Sequence, residues 1–76
     1  MGTMLVTGSS VEEFDRSSAE DFARALEEAV KQGPQSSSAH RTYEIRRAWF
    51  QSGGVVGKRI YYLEVEISGS DVRPNG

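Results

Sequence analysis

The sequence predicts an α+β domain of order β-α-β-β, a three-stranded antiparallel sheet packed around one helix. Three observations predict it. Apolar residues across 11–31 recur at helical spacing. Two β-prone runs, 42–51 and 58–68, flank a glycine-rich connection. A short β-prone run, 4–7, comes first and ends in Gly8-Ser9-Ser10. Residues 4–68 are expected to form a single domain, and 69–76, with its glycine, proline and asparagine, a flexible C-terminal tail.

Each element has its own signals. After the first strand, Ser9 or Ser10 can cap a helix, and Ser10 with Glu13 has the capping-box spacing. Phe14, Phe22, Ala25, Leu26, Ala29 and Val30 then share one face with the small Ser18, flanked by Ala19 and Ala23. Glu12, Asp15, Arg16, Glu20, Glu27 and Lys31 take the opposite face. A second cap, Ser18 with Asp21, marks an alternative break near Ser17; one continuous helix is the favoured reading. Gly33-Pro34 ends it, because proline cannot continue the ladder. A polar connection, 35–40, leads to the hairpin.

In the hairpin, the glycines of 52–57 suit a turn that needs positive backbone angles. This segment lacks the lysine and serine of a phosphate-binding loop. Pairing Tyr43 with Ile67 sets Ile45 against Val65, Arg47 against Leu63 and Trp49 against Tyr61, all toward the helix. Arg47 is out of character there. The other face would carry Glu44, Arg46, Ala48, Phe50, Ile60, Tyr62, Glu64 and Glu66. Its apolar cluster, Ala48, Phe50, Ile60 and Tyr62, has no second helix to cover it and is the expected oligomer interface.

Composition narrows the function classes. The chain has 76 residues and a formal charge of −2, without the basic excess of a nucleic-acid-binding module. No apolar run is long enough to cross a bilayer, and the first residues lack the basic and apolar regions of a secretory signal. There is no cysteine, hence no disulfide, thiolate metal site or cysteine nucleophile, and a cytoplasmic setting is expected. The single histidine, His40, lies in the linker near Ser38 with no third group placed by any pattern, so a surface histidine is the simpler reading. No zinc or calcium ligand spacing occurs. No catalytic residue is assigned. A domain this short buries only about 60% of its unfolded surface and needs an efficient core or a partner subunit.

Charge is segregated. Residues 12–31 carry a net −4, and 40–62 a net +4. Tyr43, Trp49, Phe50, Tyr61 and Tyr62 stand among the arginines of the basic half. Such rings and cations suit a flat anionic heteroaromatic ligand, although strands favour aromatic residues in any case. Tyr43, Arg46, Arg47 and Trp49 are the candidate ligand-binding residues.

Thr7-Gly8-Ser9-Ser10 leading into an alanine-rich acidic helix, followed by a long hairpin, resembles the dodecin family. The last strand, Tyr61-Tyr62-Leu63-Glu64-Val65-Glu66-Ile67, looks like the alternating final strand of dodecins, and Glu44-Ile45 resembles the Glu-Val of their second strand. The resemblance covers residues 4–68. It implies a hollow homododecamer that stores or sequesters riboflavin or FMN without catalysis, stacking it on a tryptophan beside a glutamine. Aligned on these motifs, the tryptophan position falls on Thr42 and the glutamine position on Ile60. Tyr43 remains to stack a ligand, and Arg46 or Arg47 to meet a phosphate; neither role is inherited by matching. Two alternatives stay open. One is a protein–protein adaptor using the exposed hairpin face. The other is an enzyme with a site built from Tyr61, Arg47 and His40 at subunit boundaries, for which no nucleophile–base pair is visible.

Overall fold

A computed structural model describes residues 2–35, 39–54 and 57–73. Four elements follow in the expected order: β1 (Gly2–Val11), α1 (Ser18–Lys31), β2 (Arg41–Gln51) and β3 (Ile60–Gly69). The sheet has the order β1-β3-β2, and both pairings are antiparallel. The molecule measures 41 × 24 × 15 Å, the shape of a slab one sheet and one helix thick.

The core lies between α1 and the first two strands of that order. Val6, Leu63, Val65 and Ile67 project from the sheet onto Ala25 and Ala29, and Met4, Phe22 and Leu26 pack around them. Strand β3 alternates strictly between buried and half-buried residues, as the central strand of a one-sided sheet must. Gly8 on β1 faces the small residues of the helix. A β-carbon there would stand 1.9 Å from the Ala25 carbonyl oxygen and 2.5 Å from the Ala29 nitrogen. The helix thus rests directly on the backbone of β1.

The helix begins later than the apolar periodicity suggests. β1 pairs with β3 through Ser9–Tyr62, Ser10–Tyr61 and Val11–Ile60, so the ladder, not a helix cap, occupies Ser9 and Ser10. The break near Ser17 is realised: Ser17 Oγ accepts from the Glu20 amide at 3.2 Å. Phe14 therefore leaves the apolar stripe and stands fully exposed in the connection. Arg16 holds that connection, donating to the Val11 carbonyl at 3.0 Å and to Asp21 Oδ1 at 2.9 Å. Asp21 is only 1% exposed and also faces the Ser10 hydroxyl. Such a buried carboxylate is stable only with its partner in place.

At the other end, residues beyond Ser68 stay with the fold. Gly69 closes β3, Val72 is buried in the core, and Asp71 pairs with Arg41 at the start of β2. The tail beyond Arg73, the connection residues Ser36, Ser37 and Ser38, and Val55 and Val56 of the hairpin loop lie outside the described residues. Gly53, Gly54 and Gly57 adopt the positive φ expected of them.

Gly8→Ala is expected to destabilise the fold by at least about 2 kcal/mol, because the helix backbone cannot yield as a side chain can. Gly54→Ala, with open space around it, should cost only about 1 kcal/mol for its positive φ. Urea denaturation of the two variants checks the order; equal losses would place the helix farther from β1.

Candidate functional site

A β-bulge decides which hairpin residues share a face. Tyr43 pairs with Ile67 and Ile45 with Val65, as the sequence predicts, but the next pair is Arg47 with Glu64. Arg46 is the extra residue, and it shifts everything after it by one. Ala48 then meets Leu63, Trp49 meets Tyr62 and Phe50 meets Tyr61.

The expected faces are corrected accordingly. Arg47 and Trp49 point away from the helix; the bulge relieves the arginine of an apolar environment. Ala48 and Phe50 turn to the helix side, so they do not form a cluster with Tyr62 and Ile60, which remain on the open face. Tyr43, on the helix side, is likewise separated from Arg46, Arg47 and Trp49. The signal for this slip is present in the sequence. Tyr43-x-Ile45 and Ala48-x-Phe50 each alternate, but the two pairs are one residue out of phase across Arg46-Arg47.

On the open face the bulge gathers the Trp49 and Tyr62 rings and two arginines beside Glu44, Glu64 and Glu66. The Trp49 and Tyr62 rings stack with centroids 5.1 Å apart and planes 13° apart. The Arg47 guanidinium carbon lies 4.6 Å from the Trp49 ring centroid. Arg46 is engaged differently, its two terminal nitrogens each 2.9 Å from a carboxylate oxygen, one of Glu44 and one of Glu66. That network neutralises Arg46. Among the described residues Arg47, whose register partner is Glu64, has no carboxylate within ion-pair distance, and its guanidinium sits beside the rings. Tyr62, read from the sequence as an interface residue, is thus the partner of Trp49.

On the helix side, Tyr61 is 1% exposed. Its hydroxyl is 2.9 Å from Ser18 Oγ, and its ring meets Phe22 edge-on and Phe50 at a tilt. This burial argues for a structural part. His40 lies at the far end of the hairpin, where it lines a shallow cleft of about 310 Å³ with Thr42, Ser68, Gly69 and Ser70. Thr42, the position where the resemblance implies a tryptophan, therefore sits in this cleft, at the opposite end of β2 from Trp49. Below the cleft, Arg41 Nε donates to both Asp71 oxygens at 3.0 Å. These bonds, with the Coulomb attraction of Arg41, outweigh desolvation and hold the Asp71 carboxyl below its ordinary range.

Comparison with protein families, curated proteins and solved structures finds no match to this chain. The functional reading rests on residues and geometry.

The Arg41–Asp71 pair makes a pH prediction. A depressed folded pKa stabilises the fold above the ordinary carboxylate value of 3.8 and is lost as pH falls through the lower folded value. Asp71→Asn should therefore be less stable than the native chain near neutral pH, and the difference should close under acid. Denaturation at several pH values checks this; a pH-independent difference would assign the loss to packing alone.

Proposed function

We propose that this chain is a non-catalytic, dodecin-like subunit of a homo-oligomer that binds or stores a flat heteroaromatic small molecule, with FMN or riboflavin the first candidate. The observation that carries the reading is the Trp49–Tyr62 stack with the Arg47 guanidinium against it. A heteroaromatic ring gains stacking energy on such a surface, and a phosphate gains a charge-assisted bond to Arg47. Support also comes from the β-α-β-β order, which is the order the resemblance implies. Because Thr42 and Ile60 stand where the family would have its tryptophan and glutamine, the proposed ligand surface is the one around Trp49. A cytoplasmic homododecamer is part of this proposal. No helix among the described residues is long and apolar enough to cross a membrane.

Trp49 is the chain's single tryptophan, so its fluorescence reports directly on this surface. Titration with FMN should quench it, with riboflavin weaker for want of the phosphate. Trp49→Ala, followed by flavin fluorescence, should weaken binding about tenfold or more, the scale of a lost stacking contact. Native mass spectrometry reports subunit number and retained ligand together. Unquenched Trp49 and a ligand-free monomer or dimer would favour the protein–protein adaptor instead.

A further inference from the structure

Among the described large apolar residues, Phe14 alone stands wholly in solvent. Its backbone is nonetheless pinned. The Arg16 amide donates to the Glu13 carbonyl at 3.1 Å and closes a turn with Phe14 and Asp15 at its tip. The Arg16 side chain fastens that turn to Val11 and Asp21, and Ser17 caps the helix that follows. The Glu12 amide donates to the Arg59 carbonyl at 2.9 Å, and Glu12 Oε1 accepts from the Arg59 amide at 3.1 Å. The turn therefore stands at the hairpin-loop end of the sheet. Glu13 and Asp15 beside the ring are both exposed. An aromatic side chain on a pinned turn loses little freedom when a partner covers it.

The same end of the molecule carries an uncovered apolar trough. The helix packs on β1 and β3, so β2 extends past it. Tyr43, Ile45 and Phe50 on the helix side of β2 are 39%, 53% and 52% exposed. On the adjoining flank of α1, Phe22 and Leu26 are half-buried and Ala19 and Ala23 exposed. Phe22 and Phe50 both rest on the buried Tyr61 ring, with centroids 4.9 and 5.4 Å from it, so the helix flank and the β2 row join there. Arg59 forms the rim, its guanidinium carbon 5.6 Å from the Phe50 ring centroid. Among the described residues no carboxylate lies within ion-pair distance of Arg59.

Tip and trough are complementary in charge as well as in polarity: an aromatic ring between two acids, and an apolar corner beside an arginine. Fully exposed, Phe14 does not fill the trough of its own chain. We infer that the Phe14 turn of a second copy closes it, the ring against Phe50 and the Phe22–Leu26 flank and a carboxylate of Glu13 or Asp15 on Arg59. A second copy is the fitting partner because tip and trough share one end of the molecule, so that two copies meeting there about a two-fold axis each supply what the other lacks. This rests on the homo-oligomer reading and adds which surfaces meet.

Photocross-linking tests the contact directly. With p-benzoylphenylalanine in place of Phe14 and a mixture of isotopically heavy and light chains, the photoproduct should join two chains, from position 14 of one to 43–50 or 19–26 of the other. Phe14→Ser should weaken association at least about tenfold in native mass spectra over a dilution series. Its urea denaturation should not change, because the ring touches nothing in its own chain. Arg59→Glu should also weaken association, and adding Glu13→Arg and Asp15→Arg should restore it, which a merely unfolded variant would not show. An oligomer whose photoproducts fall elsewhere, on Trp49 or Tyr62 of the open face for example, or join no two chains, would overturn the inference while leaving the homo-oligomer standing. Undiminished association of Phe14→Ser would do the same. A monomeric native mass for the native chain would remove both.

Discussion

Gly8 has no side chain, and the backbone of α1 fills the space where one would stand. The interaxial position of the helix follows from that contact, because a core of Ala25 and Ala29 against glycine admits no other spacing. Held against β1 and tied to it by Gln32 and Asp21, the helix reaches β3 but does not cover β2. The exposed row on β2, the half-covered flank of α1 and the slab-like shape are consequences of one close approach. A bulkier residue at 8 would move the helix and redistribute every apolar contact above the sheet.

The second organising feature is the bulge at Arg46. Without it, an arginine and a tryptophan would be pressed toward the helix while alanine and phenylalanine faced water on the other side. With it, the apolar residues of both halves of β2 lie on the helix side, and the rings and cations gather outside. One extra residue thus separates the two tasks proposed for the hairpin, ligand contact on one face and subunit contact on the other.

Much of this architecture is legible in the residues. The strand runs, the glycine turn and the Gly33-Pro34 stop identify the elements, and once Tyr43 is set against Ile67 alternation gives Ile45 against Val65. Four things are harder to read. The helix start is ambiguous because Val11 and Phe14 extend the apolar period, while the competing ladder of Ser9 and Ser10 with β3 is a long-range fact. The inward turn of Asp21 depends on Arg16, five residues earlier in a loop. The faces of Trp49 and Phe50 depend on a phase slip visible only when the two halves of the strand are read separately. Val72 reads as part of a loose tail because one apolar residue among glycine and proline carries no periodicity, yet it is buried in the core.

β2 is an edge strand, and its outer backbone groups could template a further strand in an endless ribbon. The bulge interrupts the regular spacing of that edge, and two consecutive arginines load it with charge, both known defences against strand addition. Growth by edge pairing is thereby discouraged, while contacts through the broad surfaces remain open. The same extra residue that sorts the side chains also biases the molecule toward closed, countable assemblies and away from fibres.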